Sequence, residues 1–253
     1  MKARQIFITS LRNELIGILL LSVLWSGAAL FFPAYIIPSP LNVLKDFGSY
    51  LTAGFLQQLG LTLGRVMIGF SISFVVGTAL GVLTVMKKWE QPMNAMMLAL
   101  QVLPGVILGV IFVLMFGIGS AAPIMLILFM GLPMIVINTV NGLSKRSNAL
   151  EEYLSTLQAD RGFTIRYSFL PALVPVFQSN FSLGLGLAMK VVVLGEFIGS
   201  QDGLGFLLNQ ARIVFDMKEV FFYLVILLLV TLIFQMVQSL FFSVGLRKYY
   251  LAE

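Results

Sequence analysis

The chain has 253 residues, of which 59% are hydrophobic and 11% are charged, and its mean hydropathy is +0.99. A soluble domain carries about 25% charged residues, so the composition indicates an integral membrane protein, and residues 1–253 are expected to form a single domain. The net charge of +5 is spread in a way that suggests no nucleic-acid surface. Cysteine and histidine are absent, which excludes a disulfide framework, a Cys/His zinc site, a cysteine nucleophile and an imidazole base.

Residues 1–58 are expected to hold one membrane span and an extracytoplasmic segment. A basic flank precedes an apolar run over residues 15–32, and about 18 apolar residues suffice for one span. A cleaved signal peptide is the alternative, but its apolar core usually has about 7–15 residues, so we favour an uncleaved span. Pro38-Ser39-Pro40 then predicts an extended turn, and a short amphipathic helix on the membrane surface is expected within residues 41–59.

Residues 59–246 are expected to form a core of five further spans. The apolar segments lie at 61–86, 92–116, 122–142, 173–198 and 220–244. Glycine recurs in the first of them at spacings that let helices approach closely, and Pro104-Gly105 interrupts the second. The expected fold class is therefore an all-α integral membrane protein with six transmembrane helices.

Basic residues predict how these spans are oriented. With a cytoplasmic N-terminus, eleven of the sixteen Lys and Arg residues lie on the cytoplasmic side, four lie outside, and Lys190 lies inside a span. The positive-inside rule then places both termini and the loop between spans 4 and 5 in the cytoplasm. No clear inverted repeat is visible, which weakens an interpretation as a secondary transporter.

The cytoplasmic loop, residues 143–171, contains a predicted helix. Asn148 is suited to cap its first amides, and Glu151 falls at the capping-box position three residues on. We expect the helix to end with Arg161 in its last turn and Gly162 at the left-handed C′ position.

This loop helix has one apolar side, made by Leu150, Leu154 and Leu157 at spacings of i, i+4 and i+7. A helix of about three turns has little to bury if its loop is alone in water. Its apolar side therefore either docks on a partner or packs under the chain's own membrane domain, and the pattern leaves both open.

Two charged residues lie in the fifth span. Lys190 and Glu196 are about 240° apart on a straight helix, so each needs its own partner or a wet cavity. In a wet path Lys190 would attract an anion; alternatively it snorkels or pairs structurally. Glu196 is equally suited to a structural hydrogen bond, and Arg65, in the first turns of the second span, is read as an interface anchor more readily than as a ligand.

Other polar or small residues near the spans are candidates for lining a path, with structural alternatives. Asn138 is read slightly more readily as a helix–helix hydrogen-bonding residue, and Gly203-Leu204-Gly205 as either a hinge or a plain turn. The candidate path residues are Arg65, Asn138, Met189, Lys190, Glu196, Gly203 and Gly205.

The loop also resembles a signature found in the membrane subunits of bacterial ATP-binding-cassette importers. That signature reads Glu-Ala-Ala, three residues, Gly, nine residues, Ile, one residue, Leu-Pro. Aligned on Leu170-Pro171, its glutamate falls on Glu152. The remaining four signature positions are occupied by Tyr153, Leu154, Gln158 and Ser168.

Further motifs resemble the nitrate, taurine and alkanesulfonate branch of these permeases over nearly the whole chain. In chain order they are Pro38-Ser39-Pro40, Thr62-Leu63-x-Arg65, Gly69-Phe70, Gly184-Leu185-Gly186-Leu187-Ala188, Glu196 and Gly203-Leu204-Gly205. Each motif is weak alone, but their order and spacing together are fairly specific.

The resemblance implies a type I importer fold in which the loop helix is a coupling helix seated on an ATPase subunit. The residues expected to couple are Leu150, Glu151, Glu152, Leu154, Leu157, Gln158, Arg161, Gly162 and Pro171. Because glutamine forms helix well where the signature has glycine, we expect the helix to run unbroken to Arg161, with Gly162 as a displaced joint.

The resemblance also implies partners. The chain has no Gly-x-x-x-x-Gly-Lys-Ser/Thr loop, so ATP and Mg are expected in a separate ATPase present in two copies, and this chain is expected to hold no cofactor and to be no enzyme. A second permease copy, most simply in a homodimer, an extracytoplasmic solute-binding protein and the bilayer of the bacterial cytoplasmic (inner) membrane complete the expected assembly.

The cargo expected from the resemblance is a small organic or inorganic anion such as a sulfonate or nitrate. A vitamin precursor of the thiamine pyrimidine type is one alternative, and an ion-coupled secondary transporter without an ATPase is another. A membrane-embedded enzyme is a third class, for which eleven carboxylates, mostly in loops, offer few catalytic constellations.

Overall fold

The computed structural model describes residues 2–145, 153–154, 156–158 and 160–245, and its regular elements are helices. In chain order they are α1 (Lys2–Phe31), α2 (Pro40–Tyr50), α3 (Ala53–Met86), α4 (Glu90–Gln101), α5 (Gly105–Phe116), α6 (Ala121–Ser144), α7 (Arg161–Thr164), a π-helical turn (Ile165–Phe169), α8 (Leu170–Gly199), α9 (Leu204–Ile213) and α10 (Met217–Gly245).

Within the described ranges, four helices are long and apolar enough to cross a membrane, namely Ala53–Met86, Ala121–Ser144, Gly162–Gly199 and Met217–Phe242. The pair α4 and α5, bent by 84°, makes a fifth if it is one broken span. The break falls at the expected interruption, because Pro104 disfavours helix in the residue before it and then caps α5. The apolar part of α1, Ile16–Phe31, is shorter, and the sixth span and the orientation stay predictions.

The described chain forms two compact units. Unit 1 is Met1–Thr62 together with Gln201–Gly245, and unit 2 contains Leu63–Ser200. In unit 1, α2 begins as the sequence predicts: Pro40 occupies its first turn, and the Ser39 hydroxyl accepts a hydrogen bond from the Asn42 amide. The predicted extended turn before it is confirmed by the extended backbone of Ser39.

The core of unit 1 is aromatic. Phe222 is fully buried, and its ring centroid lies 4.9 Å from Phe47, 5.0 Å from Tyr50 and 5.3 Å from Phe55. Burial raises the pKa of the Tyr50 hydroxyl, and the charge of Asp216 raises it further. These contacts join α2, the first turn of α3 and α10.

In unit 2, α3 packs against α6 through small residues. Gly69, Gly77 and Gly81 are buried on one face of α3. A Cβ atom at Gly77 would lie 2.9 Å from Ile135 Cγ2, and one at Gly81 would lie 2.5 Å from Thr139 Cβ. No side chain fits in these gaps, so the expectation that glycine lets this helix approach a neighbour closely is confirmed.

Candidate functional site

The structure describes the loop helix only in part, and three of the predicted coupling residues, Leu150, Glu151 and Glu152, lie outside the described residues. Tyr153 and Leu154 are helical, and the Leu157 amide donates to the Tyr153 carbonyl. Leu154 is only 5% exposed, whereas Tyr153 and Leu157 are 62% and 58% exposed. Leu154 therefore packs within the chain, as one of the two interpretations of the apolar side has it, whereas Leu157 is exposed and its docking on a partner stays a prediction.

The helix does not run on to Arg161. Gln158 has a φ of +51°, which is left-handed, and α7 begins at Arg161. The helix preference of glutamine over glycine is worth only about 0.8–1 kcal/mol at most, which is too little to override a turn imposed by the fold. The position where the importer signature has glycine is thus one whose backbone favours glycine.

Gly162 is not the joint that was expected. Its φ is not among the positive ones in the described chain, and its amide donates to the Asp160 carboxylate at 3.1 Å in the first turn of α7. Asp160 also accepts the Thr164 amide through its carbonyl. Gly162 and Arg161 therefore begin the next helix instead of ending the loop helix, and the joint lies at Gln158.

Pro171 follows a wide turn. The Leu170 amide donates to the Ile165 carbonyl, five residues back, which is the π-helical pattern. Pro171 has no amide hydrogen to donate to the Tyr167 carbonyl, and its ring would collide with that carbonyl in a regular helix. The π turn removes this conflict, so Pro171 explains why the entry to α8 is wider than a regular α-helix.

An exposed aromatic pair lies on this entry. The rings of Phe163 and Tyr167 have centroids 4.3 Å apart, and the Arg166 guanidinium lies 5.9 Å from the Tyr167 centroid. Both rings are about half exposed. In contrast to these two rings, Ser168, which occupies the isoleucine position of the signature, is buried.

Arg65 and Glu196 form a buried ion pair in unit 2. Arg65 Nη1 lies 2.7 Å from Glu196 Oε1, and the two side chains are 3% and 0% exposed. Arg65 Nε and Nη2 donate to the Ser120 hydroxyl at 3.0 and 2.9 Å. The interface-anchor interpretation of Arg65 is therefore wrong, because its guanidinium is enclosed by protein and is the partner that Glu196 required.

A backbone hydrogen bond lies close in sequence to this ion pair. The Gly119 amide donates to the Gly199 carbonyl at 3.0 Å, and Gly119 has a φ of +140° that suits glycine. The turn between α5 and α6 is thereby tied to the last residue of α8. Together with the Arg65–Ser120 bonds, it joins α3, this turn and α8.

In unit 1, side chains of α3 hold the start of α9. The Gln58 carbonyl oxygen accepts the Gly203 amide, and the Thr62 hydroxyl accepts the Leu204 amide at 2.8 Å. Gly203 has a φ of +96° and is buried. The glycine-rich segment is thus a turn whose amides are capped by another helix, and Gly205, also buried, lies in the first turn that follows.

Asn138 belongs to a polar network between α6 and α8. Its amide donates to Asn180 Oδ1 at 2.7 Å and to Ser179 Oγ at 3.0 Å. The Asn180 amide donates to the Thr139 hydroxyl at 2.9 Å, and that hydroxyl donates to the Ile135 carbonyl. This is the helix–helix hydrogen bonding that was the favoured reading of Asn138.

Met189 and Lys190 lie on different sides of α8. Met189 is buried within the chain, whereas Lys190 is exposed. No described residue forms a hydrogen bond or an ion pair with Lys190. The structure therefore brings Arg65 and Glu196 together and leaves Lys190 on a surface that the described residues do not cover.

Residues 73–243 match the family described as binding-protein-dependent transport system inner membrane component. The chain belongs to this family.

Curated relatives of this permease include three transport permeases. The riboflavin transport system permease protein RibX of Chloroflexus aurantiacus is 31% identical over 221 residues, covering 86% of this chain and 82% of the relative. The formylaminopyrimidine transport permease protein ThiX of Halalkalibacterium halodurans is 27% identical, covering 80% and 82%. The aliphatic sulfonates permease SsuC of Bacillus subtilis, described as putative, is 27% identical, covering 74% and 69%.

A solved structure with the same fold is the inward-facing MetNI methionine ABC transporter. It matches with a TM-score of 0.64 and 21% identity, over 73% of this chain and 92% of that chain. The fold is therefore that of an ABC importer permease, and the protein is a permease subunit of such an importer.

Several residues that hold the permease together were missed from the sequence. Ser120, Gln58 and Asn180 each bind a candidate residue or its neighbour, yet none was a candidate. The available signal was that Asn180 is a polar residue inside an apolar run. Ser120 and Gln58 gave no such signal, because they lie in or near polar turns.

Proposed function

We propose that this permease forms the translocation path for a small solute in the bacterial inner membrane, and that a separate ATPase drives it. In this proposal two copies of the permease assemble with two ATPase subunits and receive solute from an extracytoplasmic binding protein. The chain spans the membrane six times with both termini in the cytoplasm. ATP and Mg bind in the ATPase alone.

The observation that carries the coupling part of the proposal is the different exposure of neighbouring loop residues. Leu154 is buried in the permease, whereas Tyr153 and Leu157 are exposed. A cytoplasmic helix that buries one apolar residue in its own domain and exposes another is suited to lie between two proteins, because both sides then remove apolar surface from water.

Motion of the loop reaches α8 through few residues. The left-handed Gln158 ends the loop helix, α7 follows directly, and the π turn leads into α8 without a break. Closure of the two ATPase subunits would therefore move the inner end of α8, and the same helix carries Lys190 and Glu196 near its other end. Of the candidate path residues, Lys190 is the exposed charge on that helix.

The cargo that we favour is a small anion such as a sulfonate or nitrate. Lys190 supports this choice, because an ammonium group in a membrane-spanning segment that faces a wet path attracts negative charge. The resemblance to the putative aliphatic sulfonates permeases of two bacteria, at 27% identity each, agrees with it.

A vitamin precursor is the second candidate cargo. The relative named for riboflavin transport is 31% identical, and the relative named for formylaminopyrimidine transport matches over 80% of this chain. Thermal-shift screening of the cognate binding protein against sulfonates, nitrate, flavins and pyrimidines separates the two candidates, because only true ligands raise its Tm.

An ion-coupled carrier that needs no ATPase is the competing mechanism. Such a carrier requires a buried group that gains and loses a proton during transport, and among the described residues of the spans Glu196 is a fully buried carboxylate. Glu196 instead forms an ion pair with Arg65 at 2.7 Å, which gives it a structural role between α3 and α8.

The test of the coupling proposal uses the permease reconstituted with its ATPase and binding protein. We expect ATP hydrolysis to rise when loaded binding protein is added, and we expect Leu157→Ala to weaken this rise several-fold by removing an exposed apolar contact. The matched control is Ile118→Ala, an exposed isoleucine in the turn between α5 and α6. Solute movement by the permease without any ATPase, or an equal effect of both variants, would contradict the proposal.

A further inference from the structure

One face of α8 is left largely uncovered by the residues that the structure describes. The buried residues of this helix, including Gly184, Ala188 and Gly195, lie on the side that packs within unit 2. Leu183 and Lys190 are exposed. Together with the half-buried Gly186 and Leu187 they occupy an arc of about 100° along the helix, which we call the uncovered face.

Lys190 lies below the end of α8. The apolar segment that carries Lys190 covers residues 173–198, or about 39 Å of helix, whereas the hydrocarbon layer is about 30 Å thick. Lys190 is eight residues before the end of this segment, or about 12 Å from it, so with equal overhangs of the apolar segment it lies about 8 Å inside the apolar layer. A charge at that depth requires water, a ligand or another protein group.

Gly186 leaves space beside this lysine. A Cβ atom at Gly186 would have no atom within 4 Å. Side chains on a helix tilt toward its N-terminus, so the Lys190 stem lies over the turn that carries Gly186. Because position 186 has no side chain and a Cβ atom there would meet nothing within 4 Å, the helix surface beside the lysine is open at this point. Leu183 and Leu187 flank the opening on the same face.

We infer that Lys190 and the gap at Gly186 form an anion-binding step in the path, which takes a small organic anion with its charged group on the ammonium and its apolar part against Leu183 and Leu187. This inference rests on the proposed function in that the uncovered face must line the path. It adds the opening at Gly186 as the place where the anion lies, and it requires cations to be disfavoured at the same point. The attraction is stronger there than on an open protein surface, because the surrounding protein and lipid lower the effective dielectric constant.

The absence of cysteine from the chain allows a direct test. In the reconstituted importer, Gly186→Cys is treated with two thiol reagents of similar size and opposite charge, sulfonatoethyl and trimethylammonioethyl methanethiosulfonate. The test compares Lys190, Lys190→Gln and Lys190→Arg backgrounds. We expect the anionic reagent to react faster with Lys190 or Arg present, and the ratio of the two rates to fall at least tenfold with Lys190→Gln.

The matched control is Gly64→Cys, an exposed glycine of α3 whose Cβ also meets no atom within 4 Å. Its rate ratio should not change between the Lys190 and Lys190→Gln backgrounds. The inference is overturned if Gly186→Cys reacts with neither reagent, which is the result expected of a cysteine that faces lipid. It is also overturned if the ratio of the two rates is the same in all three backgrounds, or if the ratio for Gly64→Cys changes as much as that for Gly186→Cys. The stimulated ATP hydrolysis of Gly186→Cys tests the proposed function separately. If this variant still shows stimulated hydrolysis but fails the labelling test, only the anion-binding step is refuted.

Discussion

At the scale of single residues, Gln158 shows how a position can keep a backbone conformation while changing its side chain. The importer signature has glycine there, and the chain has glutamine with a φ of +51°. A residue with a Cβ atom pays about 1–2 kcal/mol for the left-handed conformation. The turn persists because the next helix begins at Arg161, with Asp160 accepting hydrogen bonds from its first turn.

We expect Gln158→Gly to stabilise this turn. Relief of the left-handed strain exceeds the extra backbone entropy of glycine, about 0.5–1 kcal/mol, so a net gain of about 0.5–1 kcal/mol is expected. The measurement is amide hydrogen exchange in peptides that cover residues 153–164, which should slow. Thr156→Gly is the control inside the helical turn, where exchange should become faster; slower exchange in both variants would refute the argument.

At the scale of helices, glycine spacing on α3 determines how closely α6 approaches. Gly81 meets Thr139 so closely that a Cβ atom would lie 2.5 Å from that of the threonine. In a membrane, where lipid is as apolar as the side chains, such close backbone packing replaces the hydrophobic effect as a driving force between helices.

We therefore predict that Gly81→Ala destabilises the permease by about 1–3 kcal/mol through overpacking. Gly64→Ala, on the same helix but with open space around its Cβ position, should be close to neutral. The measurement is the Tm of the purified permease in detergent. Equal Tm values for the two variants would contradict this prediction, because they would show that α6 moves to accommodate the added methyl group without a loss of stability.

The Arg65–Glu196 pair acts between helices as well, because it joins α3 to α8 and, through Ser120, to the turn before α6. Removing one partner leaves a buried charge without its counter-charge, which costs about 3–5 kcal/mol, whereas replacing both with apolar residues is often neutral. We expect Arg65→Met and Glu196→Leu each to lower the Tm strongly, and the double variant to recover most of the loss.

A double-mutant cycle on the Tm in detergent measures this coupling. Lys218 and Asp46 form an exposed pair in unit 1 and serve as the control, for which single and double replacements should leave the Tm nearly unchanged because solvent screens the pair. If the losses at Arg65 and Glu196 simply add, the two residues do not stabilise each other.

At the scale of the whole molecule, much of the organisation was predictable. Composition alone indicated a membrane protein, and the apolar segments correspond to α3, the broken pair α4 and α5, α6, α8 and α10. Prolines marked the break before α5 and the start of α2. These features are local, since they depend on residues within one helix or turn.

The helix boundaries were less predictable where polar residues continue a helix. The second span was expected to begin at residue 61, yet α3 begins at Ala53. Apolar periodicity does not mark the start of a helix that extends beyond the hydrocarbon layer. The first turns of α3 are instead held by the aromatic packing of Phe55 and by the hydrogen bonds that Gln58 and Thr62 accept from the amides at the start of α9.

The sequence by itself determined the membrane class, the order of the apolar helices and the family, because hydropathy, proline positions and motif spacing depend only on residues that are close together in the chain. Only the tertiary structure decided that Arg65 belongs to Glu196, 131 residues away, that Thr62 caps α9, and that Gln158 ends the loop helix. Helical periodicity fixes which residues share a face of one helix, but pairing across helices depends on how the faces meet in space. The sequence shows that a charge buried in a span requires a partner, but the identity of that partner depends on which helices pack together.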